Sequence, residues 1–132
     1  MRVLLVDDQP WLRSAIRLLL DHEPGVEVVG ELGSVELLPT SLAHFHPDII
    51  LLDWEIAGMK SLQSRRKLLN ALRISAPNVY IIALSNSAVR HGHGTVGAAD
   101  AFVSRADPPE QLLAAVQQAT RHTADGRQLP RH

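Results

Sequence analysis

Five polar residues stand where apolar runs end: Asp7 and Asp8 after VLLV at 3 to 6, Asp53 after IILL at 49 to 52, Ser85 after VYIIAL at 79 to 84, and Arg105 after AFVS at 101 to 104. Carboxylates are hard oxygen donors, and a hydroxyl or a guanidinium is the donor a phosphoryl oxygen accepts from. Any one of the five alone is an ordinary turn or cap residue. Together they describe a cation-dependent phosphoryl site, provided the fold gathers them. Three carboxylates about 5 Å apart repel by roughly 3 kcal/mol per pair at an effective dielectric of 20, so a cation or a proton must compensate. Mg²⁺ suits such a site, because it takes oxygen ligands, keeps several waters and is held by one or two carboxylates with a phosphate. The chain has no cysteine, and His91 and His93 sit in a glycine-rich HGHG stretch with no further ligand in view, so they read as a solvated loop rather than a zinc clip.

The elements that must position these residues are legible from periodicity. The runs at 3 to 6, 26 to 30, 48 to 53, 79 to 84 and 101 to 104 are short, rich in Val, Ile and Leu, and do not alternate. That pattern belongs to strands of a parallel sheet buried on both faces. Between them, Leu12, Ala15, Ile16, Leu19 and Leu20 form one helical stripe. A helix is expected between Ser34 and Phe45, kinked or delayed by Pro39. Another is expected from Met59 to Ile74, with Leu62, Leu68, Leu69 and Leu72 inward and a solvated basic face of Arg65, Arg66, Lys67 and Arg73. Asp107-Pro108-Pro109-Glu110 opens the last helix. The fourth crossover, 88 to 99, carries Gly92, Gly94 and Gly97, each costing a helix about 1 kcal/mol relative to Ala, so an irregular or shortened helix is expected there.

Strands alternating with helices predict an α/β, flavodoxin-like, three-layer doubly wound domain with five parallel strands in the order 2-1-3-4-5. In that order strand one lies beside strand three at about 4.8 Å, so Asp7, Asp8 and Asp53 meet at the carboxyl edge. Ser85 is one strand from Asp53, and Arg105 lies about two spacings away, roughly 10 Å, which a long cationic side chain crosses.

Composition narrows the function. A chain of 132 residues fits one domain, here 1–122, with 123–132 as a tail or the start of a linker. Thirteen basic against 14 acidic residues argue against direct nucleic-acid binding by this domain. No apolar run is long enough to span a bilayer, and the acidic residues in MRVLLVDD do not suit a signal peptide, so a cytoplasmic protein is expected.

Three stretches resemble the response-regulator receiver family. VLLVDDQPWLRSAIRLLL is similar to that family's opening strand, acidic pair and first helix, PDIILLDWEIAG to its phosphoacceptor strand and loop, and AADAFVSRADPPEQLLAAV to its last strand and helix. The proline two residues after the acidic pair is similar to regulators of the NarL/FixJ type, which carry a LuxR-type helix-turn-helix. The resemblance implies a two-component switch, not an enzyme acting on external substrates. Asp53 would accept a phosphoryl group from a histidine kinase or phosphotransfer protein, with slow loss of the same group. Asp7 (through water), Asp8, Asp53 and the Glu55 main-chain carbonyl would hold Mg²⁺. Ser85 and Phe102 would form the switch couple, and a homodimer would use the face of the fourth helix, fifth strand and fifth helix.

This chain departs from the family in having Arg105 where the family has lysine, Ala57 where it usually has proline, and a short glycine-rich fourth crossover. Arginine keeps the charge, but its planar fork is not interchangeable with an ammonium. These departures motivate a competing reading, a receiver-like interaction domain that works without phosphorylation. A phosphohydrolase fits less well, since its nucleophile would follow the first strand in an Asp-x-Asp pattern that Asp7-Asp8 lacks. A flavin carrier is disfavoured because DDQP after the first strand would repel a phosphate.

Overall fold

Each apolar run forms a strand in the computed structural model, which describes residues 1–58, 61–86 and 99–128. Along the chain these are β1 (Arg2–Val6), α1 (Pro10–Asp21), β2 (Glu27–Leu32), α2 (Leu38–Phe45), β3 (Ile49–Asp53), α3 (Leu62–Ser75), β4 (Tyr80–Ser85), β5 (Ala101–Ser104) and α4 (Pro109–Gln128). The strands are all parallel and ordered β2-β1-β3-β4-β5, as the alternation predicts.

The pleat divides the core in two. Val3, Leu5, Ile49, Leu51, Ile82 and Leu84 face α1 and α4 and pack on Ile16, Leu20, Leu112 and Val116. Leu4, Val6, Ile50, Leu52, Ile81 and Ala83 face the other way, onto Leu38, Leu42, Leu69 and Leu72 of α2 and α3. Each such Val, Leu or Ile side chain contributes about 1.5 to 3 kcal/mol on burial. Burial on both faces holds for β1, β3 and β4, whereas the sheet edges β2 and β5 are only half-buried.

Local chemistry sets the helix ends. Pro39 delays α2 rather than kinking it: the proline occupies the first turn, where no amide hydrogen is required, and the helix starts at Leu38 rather than near Ser34. Ser61 caps α3, its hydroxyl accepting from the Ser64 amide at 3.0 Å, and this moves the start from Met59 to Leu62. Leu62, on the first turn, is exposed rather than inward, while Leu69 and Leu72 are buried as expected. Asp107 turns its carboxylate back to the Ser104 amide, closing the turn ahead of α4, which continues past residue 122 to Gln128. Residues 88–98 of the glycine-rich fourth crossover lie outside the described residues.

Two polar ties hold the sheet edges. Glu31 of β2 accepts from Arg13 at 3.2 Å and Arg17 at 2.6 Å of α1. Asp100, ahead of β5, accepts from the Ile81 amide at 2.8 Å and from Arg73 at 2.6 Å, so Arg73 belongs to a tie and not to a free solvated face. Gly30 is required by a close approach, since a Cβ there would lie 2.7 Å from the ring of Phe45.

Candidate functional site: an acidic pocket at the carboxyl edge

The β1/β3 register pairs Val6 with Leu52, so the next residue of each strand, Asp7 and Asp53, emerges side by side at the carboxyl edge. Both are 2% exposed, whereas Asp8 is exposed. One carboxylate oxygen from each of the three lies within 4.8 Å of the others, the meeting that the spacing predicts. Two of the acids are pinned by the backbone two residues on. The Gln9 amide donates to Asp7 Oδ1 and the Glu55 amide to Asp53 Oδ1, each at 2.9 Å. Such turns are a habit of aspartate, and a reading attentive to them finds both in the sequence. Arg13 adds a hydrogen bond to the Asp7 main-chain carbonyl at 2.5 Å.

Arg105 crosses from the end of β5, its amide donating to the Ser85 carbonyl at 2.8 Å. Its Nη2 lies 2.8 Å from Asp53 Oδ1, the contact expected from its reach, and 2.5 Å from Asp7 Oδ2, a contact the sequence did not suggest. Nη1 donates to Asn86 Oδ1 at 3.0 Å, adding Asn86 to the site. Ser85 closes β4 at 2% exposure, one residue beyond Leu84, the register partner of Asp53.

Burial pushes the Asp53 carboxyl above the usual carboxylate range. The Glu55 amide and Arg105 pull it down, and the charges of Asp7 and Asp8 push it up again. When all three acids are ionised, one guanidinium in direct contact leaves two negative charges uncompensated. A set of oxygen donors with an exposed rim at Asp8 fits a hydrated divalent cation such as Mg²⁺.

Behind the pocket, Trp54 turns to the opposite face of β3 and is fully buried. Phe102 packs edge-on to it with centroids 5.4 Å apart, so the two aromatics form one contact behind the acid. Arg65, expected on a solvated face, instead stacks over the indole at 5.0 Å and is only partly exposed. The Trp54 indole N–H is buried without a hydrogen-bond partner among the described residues, a feature that residue spacing does not reveal.

The profile of the response regulator receiver domain matches residues 3–117. The nitrate/nitrite response regulator NarP of Escherichia coli K12 is 36% identical over 118 residues, covering 88% of this chain and 53% of that protein. NarL of the same strain is 32% identical over 121 residues, covering 89% of this chain and 53% of that protein. The chain therefore spans about half the length of these relatives. The response regulator domain of CheB from Thermotoga maritima shares the fold with a TM-score of 0.75 at 22% identity, covering 92% of this chain and 96% of that one. A LuxR-family DNA-binding response regulator from Staphylococcus aureus does so at 0.73 and 21%, covering 89% and 97%. The chain belongs to the response regulator receiver domain family, as a CheY-like receiver of the NarL subfamily.

Proposed function

We propose that this receiver is a phosphorylation switch whose acceptor is Asp53. The observation that carries the reading is a buried aspartate at a strand end, with two further acids within 4.8 Å and a guanidinium at 2.8 Å. A phosphohistidine on a histidine kinase or a phosphotransfer protein supplies the group. The free Asp53 oxygen forms a bond to phosphorus as the phosphorus–nitrogen bond breaks, and the departing imidazole takes up a proton. The Glu55 amide holds Asp53 Oδ1, which orients Oδ2 as the attacking atom. Arg105 and the Ser85 hydroxyl receive the phosphoryl oxygens.

Asp8, Asp53 and the Glu55 main-chain carbonyl, with Asp7 through water, would hold Mg²⁺, which when bound supplies positive charge to the transferring phosphoryl oxygens. Hydrolysis of the acyl phosphate resets the switch slowly, and no external substrate is turned over. Ser85 and Phe102 couple the phosphoryl group to the face made by the fourth crossover, β5 and the last helix, α4, by a population shift, and that face is the homodimer candidate. DNA contact is left to other parts of a regulator, in keeping with a near-neutral charge.

The test is incubation with Mg²⁺ and a small phosphodonor such as acetyl phosphate, followed by intact-mass measurement. One phosphoryl adduct, absent in Asp53→Asn, is expected. Absence of any adduct with donor and Mg²⁺ in excess would favour the phosphorylation-independent interaction domain, a reading that Arg105 bridging two of the acids keeps in play.

A further inference from the structure

Arg105 lies against two of the three acids that would hold a divalent cation. A single nitrogen, Nη2, bridges Asp7 Oδ2 at 2.5 Å and Asp53 Oδ1 at 2.8 Å, two of the three acids in the pocket. The fork has a second anchor in Asn86, at 3.0 Å from Nη1. Because the guanidinium is planar, contacts at both terminal nitrogens fix its plane as well as its position. Its side chain is 15% exposed, and Nε is buried without a partner among the described residues. A lysine ammonium reaching the same acids would have to serve Asn86 from the same nitrogen, with no planar fork to fix its orientation.

We infer that Arg105 is a built-in counterion that occupies the divalent-cation pocket in competition with Mg²⁺, latched in place by Asn86. Cation binding then requires the guanidinium to leave Asp7, and the freed fork is what becomes available to a phosphoryl group. Metal loading and readiness of the acceptor are one event in this chain. The inference deepens the metal-binding part of the function proposed above and does not depend on phosphoryl transfer.

The test is calorimetric Mg²⁺ titration of the wild-type chain and of Arg105→Ala, Arg105→Lys and Asn86→Ala, in the absence of any phosphodonor. Removing the competing charge in Arg105→Ala should tighten Mg²⁺ binding on the order of tenfold. Arg105→Lys should fall between it and the wild type. Asn86→Ala leaves every charge in place and removes only the latch, so it should tighten binding severalfold. Simple repulsion between Arg105 and the metal would leave Asn86→Ala at the wild-type affinity, and that result overturns the latch. Asn86 is exposed on the rim, so this variant keeps the test alive if Arg105→Ala fails to fold.

A second readout is the Arg105 Nε–H signal in the NMR spectrum of the wild type during the same titration. It should shift and saturate together with the calorimetric signal. Unchanged affinity in Arg105→Ala, an Nε–H signal that stays put while Mg²⁺ saturates, or no Mg²⁺ binding by any of the four proteins would each overturn the inference. Normal competition without a phosphoryl adduct would instead overturn the phosphoacceptor reading and leave this one standing.

Discussion

Replacing Asp53 by asparagine should make the metal-free domain more stable while abolishing its chemistry. At an effective dielectric of 20, acid oxygens at the 4.8 Å outer limit of this cluster repel by about 3.5 kcal/mol per pair, closer ones by more, and Asp53 faces two such neighbours. Against this, its contact with Arg105 at 2.8 Å contributes about 6 kcal/mol on the same scale. The balance is an excess of about 1 kcal/mol of repulsion, to which withdrawal of the buried carboxylate from water adds. Asparagine removes the charge but keeps a carbonyl oxygen for the Glu55 amide and for Arg105, which retains Asp7 as its ion partner.

We therefore expect Asp53→Asn to raise the unfolding free energy by about 1 to 3 kcal/mol, measured by urea denaturation in EDTA at neutral pH and low salt. The pH dependence follows from the direction of the Asp53 shift, which is upward because of burial. Below the ordinary carboxylate range Asp53 is protonated in both folded and unfolded chains, and wild type and variant should match. The wild type then loses stability as pH rises through the raised folded value, and the gap opens to its full size. Mg²⁺ should reverse the ranking by stabilising the wild type more. A variant less stable than the wild type at neutral pH in EDTA, or a gap that ignores pH, would refute this reasoning.

Other perturbations read other parts of the structure. Ser61→Ala removes the cap of α3 and should cost about 1 kcal/mol in chemical denaturation. Gly30→Ala places a Cβ 2.7 Å from the Phe45 ring and should destabilise by about 1 to 3 kcal/mol, with partial rescue by Phe45→Leu in a double-mutant cycle. Glu31, whose carboxyl is held low chiefly by its hydrogen bond with Arg17, adds stability that is present above the ordinary carboxylate range and lost as pH falls through its depressed value. Both partners are partly exposed, so Glu31→Gln should cost less than about 1 kcal/mol at neutral pH, and the difference should close on acidification. With Trp11→Phe leaving Trp54 as the sole tryptophan, Mg²⁺ plus beryllofluoride should change the fluorescence, since the indole follows Asp53 in sequence and touches Phe102.

The fold and the acidic pocket were legible because both depend on backbone arithmetic. Strand spacing and the strand order bring Asp7, Asp8 and Asp53 together whatever the surrounding side chains do. What escaped the sequence were side chains with a choice of partners. Arg65 and Arg73 fall on a polar helical face, yet one covers an indole and the other joins Asp100 to β4, because long cationic side chains fold back along apolar stems to distant acceptors. Arg105 was expected at Asp53, but its bridging of Asp7 and its bond to Asn86 depend on rotamers that no spacing rule encodes. Helix starts shifted by a few residues for a similar reason. A proline or serine announces a first turn but does not choose between neighbouring starts, and at Ser61 the hydrogen bond to the Ser64 amide decided it.

Chemical trapping of the acyl phosphate tests the central claim most directly. Borohydride reduces an aspartyl phosphate to homoserine, which marks the acceptor within the chain. After treatment with phosphodonor and Mg²⁺, peptide sequencing by mass spectrometry should find homoserine at position 53. Homoserine at Asp7 or Asp8, or none anywhere after full exposure to donor, would contradict the assignment of Asp53 as the residue that carries the signal.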